Sequence, residues 1–162
     1  MPETNAPRVD QPLKRILGWD DIMSEVDTLI DQIGTDYDAI LVITRGGMVP
    51  ACLISERLNI RNILVAAVQL YTGIGTSLDD PIFVQFPSDI LLHDKRILIV
   101  DDVWDSGRTA MTVRQRVVNA GGIPTLAVLH YKPRASRFPE EAPDFYAELT
   151  DDWLVYPWDD ER

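Results

Sequence analysis

Apolar residues recur along this chain in two rhythms. After Trp19-Asp20, the residues Ile22, Val26, Leu29, Ile30 and Ile33 follow at helical spacing, and Gly34 supplies a stop. Ala39 to Ile43 is instead a short unbroken apolar run leading into Thr44-Arg45-Gly46-Gly47, which predicts a buried strand entering a glycine turn. Pro50 suits the first turn of a helix reaching about Leu58. Ile63 to Leu70 reads as the next strand. Tyr71 to Pro81, rich in Gly, Thr, Ser and Asp, reads as a mobile loop. Ile82 to Phe86 returns as a short strand limited by Pro87. Arg96 to Val100 is a strongly apolar strand running into polar residues from Asp101 to Thr109, and a helix follows to about Ala120, closed by Gly121-Gly122. Thr125 to Tyr131 is a further strand. A loop to Pro143 and two short strands, Phe145 to Leu149 and Trp153 to Tyr156, complete the pattern.

Strands alternating with helices predict an α/β fold, a mainly parallel central sheet flanked by helices. Ligands in such folds bind beyond the carboxyl ends of the strands, where both polar clusters of this sequence fall. At 162 residues, one domain spanning 1–162 is expected.

The acidic excess, 26 residues to 15 and a formal charge of −11, sets the chain against nucleic-acid partners. It also means that any phosphate site must be local and metal-assisted. No run approaches the roughly 20 apolar residues of a membrane span, and Met1 to Gln11 carries no apolar signal core, so a cytoplasmic address and no membrane contact are expected. The single cysteine, Cys52, excludes an internal disulfide and reads as a small core residue between Ala51 and Leu53. His130 reads as a packing or locally hydrogen-bonded residue on a strand that ends near the polar cluster.

The densest chemistry lies in Asp101-Asp102-Val103-Trp104-Asp105-Ser106-Gly107-Arg108-Thr109. Two adjacent carboxylates suit a sugar diol, or a magnesium ion held through sugar oxygens and water. The loop then becomes a helix N-terminus, where backbone N–H groups and the hydroxyls of Ser106 and Thr109 form a phosphate cradle; Gly107 lets the backbone approach and Arg108 adds charge. Taken singly, each residue has a structural explanation, such as a helix cap or a solvated loop acid. Three carboxylates, a glycine and two hydroxyls in nine residues after a buried strand point to a site for one ligand carrying both a phosphate and a diol.

This segment resembles the signature of the type I phosphoribosyltransferases, which bind phosphoribosyl pyrophosphate (PRPP). The resemblance implies that fold, with a small hood from residues 71–81 and the C-terminal segment. It implies that Asp101 and Asp102 hold the ribose and metal, that Asp105, Ser106, Gly107, Arg108 and Thr109 hold the 5′-phosphate, and that Asp105 handles a proton at the base. Thr44-Arg45-Gly46-Gly47, followed by Met48-Val49-Pro50, resembles the pyrophosphate loop of the same family, with Arg45 clamping the leaving group and a cis peptide between Thr44 and Arg45. Tyr131-Lys132-Pro133 and Asp152-Trp153-Leu154-Val155-Tyr156-Pro157-Trp158-Asp159 resemble the xanthine–guanine and hypoxanthine branch. There Lys132 would donate to the purine O6, Trp153 would stack on the base, the backbone at Leu154 would read its edge, and Asp159 would help hold magnesium. An ammonium donor at O6 favours guanine, xanthine or hypoxanthine over adenine. Tyr71 corresponds to a loop tyrosine of the family. Met1 to Lys14 has no counterpart and reads as a flexible extension. The resemblance implies a homo-oligomer of two or four chains.

The implied activity is Mg2+-dependent transfer of phosphoribose from PRPP to a 6-oxopurine, with release of pyrophosphate, in purine salvage. The alternatives are an enzyme of the same fold acting on another base (uracil, orotate or adenine) and a non-catalytic nucleotide-sensing regulator. A receiver domain fails on the order of its motifs, a Walker loop is absent, and Gly73-x-Gly75 lacks the remainder of a dinucleotide loop.

Overall fold

The computed structural model describes residues 12–70 and 81–160. Its centre is a six-stranded sheet built from β2 (Ala39–Thr44), β3 (Ile63–Leu70), β4 (Pro81–Gln85), β5 (Arg96–Trp104), β6 (Ile123–Tyr131) and β7 (Phe145–Leu149), in the order β4-β3-β2-β5-β6-β7. Every pairing is parallel except β3 with the edge strand β4. A second, two-stranded sheet pairs β1 (Lys14–Ile16) with β8 (Trp153–Val155) in parallel.

The strands are continuous apolar runs because both faces are covered. Ile40, Val42, Leu98, Val100, Ala127 and Leu129 face one layer, packed against α1 (Trp19–Ile30) and α2 (Met48–Leu58). Leu41, Ile43, Ile97, Ile99, Leu126 and Val128 face the other, against Ala110, Val113 and Val117 of α3 (Arg108–Asn119). Successive residues pointing to opposite faces produce this division. Each fully buried aliphatic side chain contributes roughly 1.5–3 kcal/mol relative to exposure.

Several expectations change at their edges. Helix α2, Met48 to Leu58, has Pro50 in its first turn as expected, whereas α1 ends at Ile30 although Ile33 remains buried beyond it. Cys52 is exposed and lines an apolar hollow with Val42, Met48 and Val65, so its expected core role is incorrect. It lies on the side of α2 turned away from the layer that buries Ala51 and Ile54. Lys14, assigned by sequence to a flexible extension, begins β1; its strand character comes from pairing with β8, which three isolated residues cannot signal. Strand β5 runs on to Trp104, so the acidic pair sits within the strand instead of beyond its end.

Among the parallel strands, β2 leads through α2 to β3 on one side, whereas β5, β6 and β7 extend to the other. The direction of winding reverses between β2 and β5. The loops leaving their carboxyl ends therefore diverge and open a crevice there. No helix of the described residues is long and apolar enough to cross a membrane.

Candidate active site

Strand β5 carries Asp101 and Asp102 into that crevice. Asp101 is only 9% exposed, and its Oδ1 accepts the backbone N–H of Asp102 at 2.9 Å; Asp102 Oδ1 accepts that of Val103 at 2.8 Å. Burial pushes the Asp101 carboxyl well above the usual carboxylate range, and the neighbouring Asp102 charge adds to this. Asp102 is raised too, chiefly by burial, with Asp159 contributing like-charge repulsion. A pair held this way has lost water as a partner and gains from a bound cation or sugar hydroxyls.

After Trp104 the chain turns through Asp105, Ser106 and Gly107 into α3. Gly107 is left-handed, with φ of 81°, and a Cβ there would land on the Trp104 indole. That indole is fully buried, with its Nε1–H donating to Ser136 Oγ at 3.0 Å. Gly107 has no side chain to cap α3, and Thr109 and Ala110 of its first turn line the crevice. Ser106 Oγ accepts the Arg108 N–H at 3.3 Å, and Ser106 O accepts the N–H of Arg137 at 2.9 Å, tying down the turn. The result is a cavity of about 430 Å³ lined by Leu70, Asp101–Gly107, Thr109 and Ala110. Arg108 opens α3 without lining this cavity.

The loop after β2 meets the same place. The Thr44–Arg45 peptide is cis, Gly47 N–H donates to Ile43 O at 2.9 Å, and Met48 N–H donates to Arg45 O at 3.0 Å. A Cβ added at Gly46 would land on the Asp102 carboxylate, and one at Gly47 on backbone oxygens of Ile43 and Val100. The glycines thus let this loop lie directly on the acidic strand, with Arg45 exposed at its rim. Thr44 lines the apolar hollow beside Cys52, outside the main cavity.

The remaining candidates approach from the β6 side. Lys132 follows the end of β6, its N–H donating to Trp104 O at 2.9 Å. Trp153 and Leu154 lie on β8, which β1 holds through Trp153 N–H to Leu13 O at 2.9 Å. Trp153 is 61% exposed, with the Lys14 ammonium over its ring, so it is not a core residue; Leu154 is buried. Asp159 Oδ2 accepts the Tyr156 N–H at 2.8 Å. Tyr71 lies outside the described residues.

Sequence reasoning read His130 as packing or hydrogen-bonding locally, as its burial and partners bear out, and gave no role to Glu25 or Tyr156. His130 is fully buried, with Nε2 at 3.0 Å from Glu25 Oε1 and Nδ1 at 2.8 Å from the Tyr156 hydroxyl, which in turn donates to Asp102 O at 3.3 Å. One signal was present: Glu25 occupies the inward stripe of α1 between Ile22, Val26 and Leu29, where a carboxylate needs a buried partner.

An α/β sheet with an acidic pair, a glycine turn at a helix N-terminus and a glycine-arginine loop meeting at its switch point places this protein among α/β proteins with a ligand crevice at the carboxyl ends of the strands. The sequence profile of the phosphoribosyl transferase domain matches residues 13–161, and the chain belongs to that family. It is 31% identical to a xanthine-guanine phosphoribosyltransferase of Ruegeria sp. (strain TM1040), over 88% of this chain and 84% of that protein. A purine phosphoribosyltransferase from Pyrococcus horikoshii Ot3 superposes with a TM-score of 0.79 at 30% identity, over 92% of this chain and 95% of that one. A Neisseria gonorrhoeae protein with bound ppGpp superposes with a TM-score of 0.76 at 28% identity, over 93% and 92% of the two chains.

Proposed function

We propose that this protein, as a single domain of residues 1–162, is a Mg2+-dependent purine phosphoribosyltransferase of salvage. It transfers phosphoribose from PRPP to guanine, xanthine or hypoxanthine. The observation that carries the reading is the contact of Gly46 with Asp102, which joins a glycine-arginine anion loop to a diol-and-phosphate cradle. One substrate bearing pyrophosphate, ribose and a 5′-phosphate spans both. The similarity to xanthine-guanine and purine phosphoribosyltransferases supports a 6-oxopurine as the acceptor.

In this reading Ser106, Gly107, Arg108 and Thr109 orient the 5′-phosphate, while Asp101 and Asp102 hold the ribose hydroxyls. Thr44, Arg45, Gly46 and Gly47 receive the pyrophosphate. The anomeric C–O bond breaks, its electron pair leaves with pyrophosphate, and the purine ring nitrogen forms the new C–N bond. Asp105, exposed at the lip of the cavity, takes the proton that this nitrogen loses. Arg45 stabilises the departing charge. Lys132 donates to O6, Trp153 covers the base and the Leu154 backbone reads its edge. Leu70, where β3 ends, lines the cavity; the hood expected from residues 71–81, with Tyr71, lies outside the described residues except for Pro81.

The donor set fits magnesium. Asp101, Asp102 and Asp159 offer hard oxygens only, and the first two are buried beside each other with their charges disfavoured, a repulsion that a divalent ion relieves. Bound there, the ion supplies positive charge for the pyrophosphate oxygens.

A homo-oligomer acting in the cytoplasm completes the proposal. The bound ppGpp of the Neisseria gonorrhoeae protein supports a second use of the same cradle, in which a guanine nucleotide occupies it as a regulator. Nucleotide formation from PRPP and Mg2+ with a panel of six bases tests both. Turnover with a 6-oxopurine, abolished by chelation, is expected; binding of PRPP or nucleotide without turnover of any base assigns the regulatory role instead.

A further inference from the structure

A polar chain behind the site, half-buried at Arg15 and Glu148 and fully buried at His130, has no role in the chemistry above. It begins at Arg15 on β1, whose guanidinium grips Glu148 through both nitrogens at 2.7 and 2.6 Å and lies 3.8 Å from Glu25. Glu25 and Glu148 flank His130, whose Nε2 is 3.0 and 3.7 Å from their oxygens. Because a carboxylate only accepts, the Glu25 contact is His130 Nε2–H donating. The Tyr156 hydroxyl, 2.8 Å from Nδ1, has a single proton; with that proton on Asp102 O, Nδ1–H donates to the hydroxyl oxygen and both ring nitrogens carry hydrogen. These three ligand-type groups converge closely enough to suggest a metal site, but Arg15 already supplies the cation.

Tyr156 is where this chain meets the active site. Its hydroxyl donates to the backbone carbonyl of Asp102 at 3.3 Å, and its own N–H donates to the Asp159 carboxylate at 2.8 Å. Its ring stacks on Trp158, centroids 4.8 Å apart and planes 8° from parallel, and it is 5% exposed. One residue therefore grips both Asp102, on β5, and Asp159, 57 residues later in the C-terminal tail. Strand pairing with β6 holds β5 on both sides of Asp102, but no strand pairing among the described residues ties β5 to the tail, which pairs with β1. Stability alone gives a weak reason for a Glu–His–Tyr chain in an apolar core, since well-packed apolar groups generally serve as well or better.

We propose that Tyr156, buttressed by His130 and Glu25, is a positioning residue. It sets the spacing of Asp102 and Asp159, and thereby couples the purine-reading tail to the PRPP site. This inference rests on the proposed roles of those two aspartates. Tyr156 touches no substrate; its hydroxyl acts through the carbonyl it holds, and Glu25 and His130 fix where that hydroxyl sits.

Tyr156→Phe removes the hydroxyl and keeps the ring stack and the N–H to Asp159. Calorimetric titration of Mg2+ and PRPP into the full-length variant is expected to show affinity reduced about tenfold, the loss that goes with one well-placed hydrogen bond of ~1.4 kcal/mol. Steady-state kinetics are expected to show a raised purine KM together with a lower kcat. A lower Tm with unchanged PRPP affinity and unchanged kinetics below the melting range would mean that Tyr156 only supports the fold, and overturns the proposal. If that variant does not fold, His130→Leu carries the test by removing the buttress; a PRPP affinity reduced about threefold supports the proposal and an unchanged one overturns it. Asp102→Asn in the same titration separates the two ideas. If it binds PRPP normally, the assignment of the aspartates is wrong; if it fails to bind while Tyr156→Phe is unaffected, only the clasp is wrong.

Discussion

Replacing Gly107 by alanine tests how the turn between β5 and α3 is built. Two costs arise at this position. The left-handed backbone, φ of 81°, costs an L residue about 1–2 kcal/mol. The new methyl also meets the Trp104 indole. Trp104 cannot swing aside: it is fully buried, hydrogen-bonded to Ser136 and edge-on to Tyr131 at 6.0 Å. Overpacking of this kind costs about 1–3 kcal/mol, so the total is about 2–5 kcal/mol against a domain stability of ~5–15 kcal/mol.

Gly121 is an internal control, because it has the same φ of 81° but a Cβ there meets the His93 side chain, which is 65% exposed and free to turn away. Gly121→Ala therefore carries the backbone cost alone. Urea unfolding of the two variants at one temperature gives the comparison, and Gly107→Ala is expected to be the less stable by about 1–3 kcal/mol. Its PRPP affinity is expected to fall as well, since the segment displaced is the one proposed to hold the 5′-phosphate. Equal destabilisation of the two variants would refute the steric part of the reasoning, and unchanged PRPP affinity in Gly107→Ala would refute the link between turn and cradle.

Asp105→Asn is expected to lower kcat by about 10²–10⁴-fold with little change in the KM for PRPP; a variant that turns over at the normal rate has lost no proton acceptor, and the role assigned to Asp105 fails. Lys132→Met should lower kcat/KM for guanine and hypoxanthine by about 10–100-fold through loss of a charged donor to O6, and equal loss in PRPP binding alone would move Lys132 out of the base pocket. Asp101 has a raised pKa in the fold, so its ionisation opposes folding above that pKa, and the penalty is relieved as the pH falls through it. Asp101→Asn, which keeps an acceptor for the Asp102 N–H, should therefore raise the Tm of the ligand-free protein at neutral pH, with a gain that shrinks on acidification, while PRPP binding is lost. A gain independent of pH, or no gain, would show that the buried charge does not strain the fold.

Strand and helix order, the parallel sheet and the position of the two polar loops were legible in the sequence because they depend on local patterning. Apolar runs of strand length, glycines at turns and carboxylates beside hydroxyls occupy consecutive positions, and each carries its meaning within about ten residues. The edges were less legible. Nothing in Lys14–Ile16 announces a strand until Trp153–Val155 is beside it, and β5 keeps its strand geometry through the polar Asp101-Asp102 because β6 pairs with it as far as Trp104. Cys52 shows the same limit, since an apolar neighbourhood along the chain does not say which side of a helix faces the sheet.

Only the tertiary structure brought Gly46 onto Asp102, and only it joined Glu25, His130 and Tyr156 into a chain ending at Asp102. Bonded partners in that chain are 26 to 105 residues apart in sequence, and only Glu25, on the inward stripe of α1, stood out locally. The chain of amino acids determines what chemistry each loop can offer. The sheet decides which loops open into one crevice, because reversal of winding between β2 and β5 is a property of strand order and is written in neither strand alone.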